Sequence, residues 1–218
     1  MRRAAIVLGV SRTTIARKLI YLGRLCKKEH ETFLSEYDDD LNTIQCDELQ
    51  TIEHTKCKPL SVAVAISPDT RKILGFEVAS MPATGHLSAI SRKKYGMRPD
   101  HRRQSLRRLF KQIATKISAK TTFISDEHPY YKPIINRLFP SSRYLQYKGN
   151  MATVSRQGEL KKNAKDPLFQ INHTLAMLRA NINRLIRRTW CTTKCPHRLR
   201  DHLNIYMSVH NTLLTAQR

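Results

Sequence analysis

Between Thr43 and Met81 the chain presents three apolar runs rich in β-branched residues, TIQCDELQTIEH, KPLSVAVAIS and ILGFEVASM, separated only by short polar breaks. Runs of this length and composition read as strands, and Pro68 and Asp69 in SPDTRK supply turn chemistry between the second and the third. Three consecutive antiparallel strands are therefore expected. A basic loop, SRKKYGMRPDHRR, leads from them into a helix from about Gln104 to Ile117, whose face is Leu106, Leu109, Phe110, Ile113 and Ile117. TTFIS is a fourth strand ending at Asp126, Tyr130 to Phe139 a short helix, and RYLQY a fifth strand. After a polar segment, LFQINHTLAMLRANINRLIRRTW reads as one long helix with Ile171, Leu175, Leu178, Ile182 and Leu185 facing the core. Arg179, Arg184, Arg187 and Arg188 point elsewhere on it and suit a phosphate backbone. A final helix from about His197 to Leu214 turns Leu199, Leu203, Tyr206 and Leu213 inward. The order is β-β-β-α-β-α-β-α, an α/β chain.

The amino terminus has a different character. Ala4, Ala5, Ile6 and Leu8 form one short helical face, Gly9 supplies a turn, Ser11 is an N-cap, and Thr14, Ile15, Leu19 and Leu22 continue a second amphipathic helix. This is a helix-turn-helix pattern with Arg12, Thr13, Arg17 and Lys18 on its outer face, able to reach phosphates and base edges in a major groove. An ordinary helical hairpin would show the same apolar spacing. The motif starts almost at Met1, so its first helix is expected to be short and upstream sequence to be missing. Residues 24 to 37 read as a further helix, and Asp38, Asp39 and Asp40 as a solvated linker. Two units follow: a helix-turn-helix module with its linker helix over 1–40, and the α/β part over 41–218.

Composition narrows the partners. The net charge is +22, and from residue 56 onward 31 Lys and Arg face only 8 Asp and Glu. Such a surface indicates nucleic acid, where each phosphate contact releases a counterion, more readily than a membrane. No apolar run reaches the roughly 18 residues of a membrane span. Arg2 and Arg3 before AAIVLGV mimic a signal peptide, but the run is brief and no small-residue cleavage site follows. A cytoplasmic, nucleoid-associated chain is expected. Five cysteines at irregular spacing fit reduced thiols better than a disulfide framework, and Cys191, Cys195 and His197 lack a finger pattern.

Two acids stand out against this basic background. Asp47 lies in the first strand beside Glu48, and Asp126 ends the fourth strand beside Glu127. Acids that persist at strand positions in so basic a chain suggest a bound cation, and with a polyanionic partner the natural candidate is a divalent metal. Along a strand, the neighbour of an inward residue faces the other way, so Glu48 and Glu127 are expected to face outward as supporting residues. His128 and His173 lie near the expected site, and His54 with Lys56 and Lys58 near the path of DNA.

One acid in the first strand and another at the end of the fourth is the layout of a ribonuclease-H-like mixed sheet. The chain resembles a bacterial insertion-sequence transposase of the DDE type. The resemblance rests on AAIVLGVSRTTIARKL, CDELQTIEHTKCKPLSVAVAISPDTRKILGFEVA, ISDEHPYYKPII and INHTLAMLRANINRLIRRTWCTTK in that order, and covers nearly the whole chain. It implies metal-dependent DNA cleavage and strand transfer at element ends, by a homo-oligomer on double-stranded DNA, with two Mg²⁺ or Mn²⁺ ions held by Asp47 and Asp126. The third ligand stays open. The long helix carries Asn172 where the family has glutamate, and Glu159 in the preceding loop competes with it. Arg179 would hold the scissile strand, with Arg187 and Arg188 beyond it. A DNA-binding regulator without chemistry, and a nuclease without strand transfer, are the alternative readings.

Overall fold

Each residue of SVAVAI is small or apolar, and a strand so composed has to be covered on both sides. The computed structural model, which describes residues 2–37, 41–148, 166–188 and 190–216, makes it β2 (Pro59–Ile66), buried at every position after Pro59. β1 (Thr43–Ile52) and β3 (Ile73–Ser80) flank it, both antiparallel to it. β4 (Thr122–Ser125) and β5 (Arg143–Gln146) extend the sheet beyond β1 in parallel. The order is β3-β2-β1-β4-β5, so β1 is the central strand.

Seven α-helices accompany the sheet among the described residues: α1 (Arg2–Val7), α2 (Arg12–Ser35), α3 (Leu87–Tyr95), α4 (Arg102–Ile113), α5 (Tyr131–Leu138), α6 (Phe169–Asn181) and α7 (Pro196–Ala216). On one side Leu106, Leu109, Phe110 and Ile113 of α4, Tyr131 of α5 and Leu34 of α2 close over Ile44, Cys46 and Phe123. On the other, Ile171, Leu175 and Leu178 of α6 and Leu199 and Leu203 of α7 close over Leu49, Val62 and Val64. Full burial of each such side chain contributes about 1.5–3 kcal/mol, which makes the two apolar layers the main source of stability. Asn211 of α7 adds a directional tie: its Nδ2 donates to Ile73 O and its Oδ1 accepts from Ile73 N, both at 2.9 Å.

The structure departs from the sequence reading at five places. The second helix of the amino-terminal pair and the helix expected over 24–37 are one element, α2, with no break between Arg12 and Ser35. Gly23 sits at its crossing with α7, where a Cβ would come within 2.7 Å of Asp201 Cβ, so glycine is required there by close approach. His30 fastens the far end of α2, its Nε2–H donating to Leu74 O at 2.9 Å. α1 buries only Ala5 and leaves Ile6, Val7 and Leu8 exposed, so the apolar face expected for it is not covered. The turn itself is as expected, with Gly9 at φ 62 and Ser11 Oγ accepting from Thr14 N at 3.0 Å.

The basic loop contains a helix, α3, which ends at Gly96 with φ 72. Its run SRKKY carries no apolar period, so nothing in the pattern marked it. The long helix stops at Asn181, well short of Trp190. Ile182 takes an extended conformation (φ −112, ψ 95), and a 3₁₀ turn, Asn183–Leu185, follows. Asn181 donates its side-chain amide to Met177 O, and such local bonding disfavours continuation of a helix. In α7, Leu213 is 59% exposed and Met207 takes the buried position instead. Among the described residues no helix is long and apolar enough to cross a membrane.

Candidate active site

β1 alternates between the two layers. Ile44 and Cys46 join the α4/α5 side, while Leu49 joins the α6/α7 side. Asp47 therefore faces α6. β4 alternates in the same way, with Phe123 toward α4/α5 and Ile124 toward α6/α7, and Asp126 follows its last residue, near enough to add to the burial that raises the pKa values of Glu48, Tyr131 and Tyr144. The parallel register pairs Cys46 with Ser125, so Asp47 and Asp126 each stand one residue beyond the last paired position, on strands about 4.8 Å apart. Both acids lie at the carboxyl end of the β4 pairing, half-buried. Asp47 Oδ1 accepts from Glu48 N at 2.6 Å, and Asp126 Oδ1 from His128 N at 3.2 Å.

α6 is pinned beside this pair by a residue that sequence reasoning passed over. Gln45, two positions before Asp47 on the same side, donates Nε2 to Pro167 O at 2.8 Å and accepts Ile171 N on Oε1 at 3.0 Å. One buried amide thus fixes the start of α6 against the central strand. Thr51 does the same for the 3₁₀ turn, its hydroxyl lying 3.4 Å from Leu185 O. Asn172 follows Ile171 on α6 and donates its Nδ2 to Asp166 Oδ2 at 3.0 Å, while Asp166 Oδ1 accepts from Leu168 N at 3.0 Å. Asp166 so holds both the helix start and the orientation of the Asn172 amide, leaving the amide oxygen on the side away from that donor. Glu159 lies outside the described residues, as do Asp38, Asp39 and Asp40.

Glu48 corrects the expectation of an outward neighbour. It does face away from Asp47, but β1 is covered on both sides, so the carboxyl is enclosed. Its Oε2 accepts from Ser61 at 2.8 Å, and its Oε1 is buried with no hydrogen-bond partner. Burial pushes this carboxyl above the usual carboxylate range, with Ser61, His128 and Arg102 acting in the opposite sense. The Tyr131 hydroxyl nearby is also buried without a partner, and burial first, then the surrounding acids, drive its pKa well up. His128 belongs to this side, with its Nε2 3.4 Å from Arg102. His173 packs against Phe169 with ring centroids 6.0 Å apart, and its charge is felt at His210 of α7. His54 is exposed and its backbone amide donates to Thr193 O at 2.9 Å, tying the β1–β2 loop to the segment before α7.

The expected cationic positions fall on two surfaces. Arg12, Thr13, Arg17 and Lys18 are exposed on the first half of α2. Arg179 lies in the last turn of α6. Arg187 and Arg188 come after the helix has ended, and desolvation, followed by the proximity of Arg179, lowers the pKa of Arg187. All five cysteines are free. Among the described residues no three His, Cys, Asp or Glu side chains gather as a group that could hold a metal ion.

No family model and no curated protein matches the chain. Among solved structures it is similar to a chain of the crystal structure of a pre-cleavage Mos1 transpososome, at 9% identity and a TM-score of 0.33, over 99% of this chain and 73% of that one.

Proposed function

We propose that this chain is a transposase of the DDE type with a ribonuclease-H-like core, which cleaves DNA at the ends of a mobile element and transfers the strand with the help of Mg²⁺ or Mn²⁺. The observation that supports this reading is the parallel pairing of β1 with β4, Cys46 opposite Ser125, after which Asp47 and Asp126 are the next residues of two adjacent strands. Two carboxylates at matching positions of adjacent strands repel each other, and a cation between them would relieve that repulsion. The donors suit a hard ion: two carboxylates and an amide oxygen are the ligands Mg²⁺ and Mn²⁺ take. Asp47 and Asp126 would hold the metal, with Asn172 or Glu159 as third donor. When bound, a pair of such ions stabilises the attacking and the leaving oxygen of an in-line displacement at phosphorus.

The remaining residues bind and orient. Asp166 turns the Asn172 amide, and Gln45 keeps α6 at a fixed height over Asp47. Arg179, two turns beyond Asn172 on the same face of α6, meets the phosphates of the strand to be cut, with Arg187 and Arg188 continuing the basic surface. Residues 1–40 serve as the DNA-binding module, through Arg12, Thr13, Arg17 and Lys18, and 41–218 as the catalytic part. The enzyme works as a homo-oligomer on double-stranded DNA in the cytoplasm. A regulator without chemistry has no use for two acids at matching positions of adjacent strands.

Asp47→Asn and Asp126→Asn are each expected to abolish Mg²⁺-dependent cleavage of plasmid DNA and to leave DNA binding intact or slightly tighter, because a negative charge is lost. Cleavage equal to the parent in either variant overturns the assignment. Joined products in the parent reaction distinguish a transposase from a simple nuclease.

A further inference from the structure

The end of α6 opens onto a second feature, about 14 Å along the helix axis from Asn172 at 1.5 Å per residue. There a cavity of about 540 Å³ is lined by Asn181, Asn183, Arg184, Trp190, Tyr206 and Val209, among others. Its wall is an anomaly for a water-soluble surface. Trp190 is the one tryptophan of the chain and is 73% exposed. Arg188 lies over the indole at 5.6 Å from its centroid, which covers part of the ring and leaves indole surface open. Val209, on the opposite wall, is 51% exposed. Two aromatic side chains, two primary amides and the Arg184 guanidinium line the space, with Arg188 over the indole, and among the described residues no segment fills it.

We propose that this cavity takes an unpaired nucleobase of a DNA strand, stacked on Trp190, with the adjoining phosphates on Arg187 and Arg188. An aromatic platform beside cations is the combination that binds single-stranded nucleic acid, because every base has a π-face and every linkage a negative charge. The side-chain amides of Asn181 and Asn183 carry donors and acceptors suited to the edge of a base. The volume exceeds that of one base and admits its sugar. The distance of about 14 Å from Asn172 corresponds to about four base steps of ~3.4 Å, so the stacked base belongs to the strand lying across the proposed catalytic pair. This inference rests on the reading of the chain as an enzyme acting on DNA.

Because Trp190 is the sole indole, its fluorescence reports the cavity directly. Titration of the full chain with a short oligothymidylate is expected to quench it saturably, and a blunt duplex of equal length to quench it much less. Trp190→Ala should weaken oligothymidylate binding about tenfold, the loss of one stacked base, with Trp190→Phe retaining most of the affinity. Affinity of Trp190→Ala within twofold of the parent would overturn the proposal. So would equal quenching by duplex, equal weakness of the phenylalanine variant, or displacement of the oligonucleotide by an acidic peptide at the same concentration. The two readings fail separately. A parent that binds through Trp190 yet never cleaves keeps the base pocket and loses the enzyme, whereas cleavage without any Trp190 dependence of strand binding removes the pocket alone.

Discussion

The two sides of β1 treat their polar residues differently. Toward α6, Gln45 spends both ends of its amide on the helix start and Thr51 approaches Leu185 O. Toward α4 and α5, Glu48 keeps one oxygen buried without a partner, and Tyr131 does the same with its hydroxyl. Neighbouring carboxyls in one strand thus lie in opposite kinds of setting. On the α6 side polar groups fix where a helix sits, and on the other side apolar packing does that work while an acid is tolerated at a cost.

The sharpest way to break this contrast is to exchange charge for amide at both neighbours. Asp47→Asn should eliminate metal-dependent cleavage, whereas Glu48→Gln should cleave like the parent. Glu48→Gln should also unfold at slightly higher urea at neutral pH, by up to about 1 kcal/mol, since an enclosed carboxylate costs more than an enclosed amide. The sign follows from the raised pKa: an acid that binds its proton more tightly when folded opposes folding at pH values above its unfolded pKa. Loss of activity in Glu48→Gln would erase the distinction between the two sides. Next in size, Asp166→Ala should lower cleavage roughly 10- to 100-fold, as removal of a residue that orients a ligand does, with a loss of about 1 kcal/mol of stability from the missing cap. An Asp166→Ala variant of full activity would point to Glu159 as the third donor.

Gln45→Ala removes two hydrogen bonds that hold α6 and should cost about 2 kcal/mol in chemical unfolding. A loss below the error of that measurement would mean that apolar contacts alone seat the helix. The smallest expected effect is one of pH. His30, His202 and His210 all have pKa values lowered, chiefly by burial, from the usual 6.5. The unfolded chain therefore takes up these protons first, so stability is level above about pH 6.5 and declines as the pH falls below it. Melting temperatures that stay flat between pH 7 and 5 would contradict this.

Much of the sheet was legible because strand periodicity survives any tertiary context. The three runs after Thr43, the face of α4, the short α5 and the strand RYLQ all fall where apolar spacing indicates. The elements that escaped are those whose cause lies elsewhere in the chain. The merging of 12–22 with 24–37 depends on Gly23 meeting Asp201, and the arrest of α6 at Asn181 depends on local amide bonding that apolar spacing does not register. Basic α3 has no stripe to read. At the proposed site, Asp47 and Asp126 stand out in the sequence as acids in a basic chain. Gln45 and Asp166 do not, because a polar residue beside a strand or a proline looks like filler until its partner more than a hundred positions away, or one helical turn on, is known.

The unbroken run of α2 has a mechanical consequence. Twenty-four residues at about 1.5 Å each make a strut of about 36 Å, clamped to the body by Gly23 against α7 and by His30 against β3. Its basic tip therefore cannot swing on a hinge. Whatever binds Arg12, Arg17 and Lys18 would be held at a set reach from the central strand, a distance fixed by the helix itself.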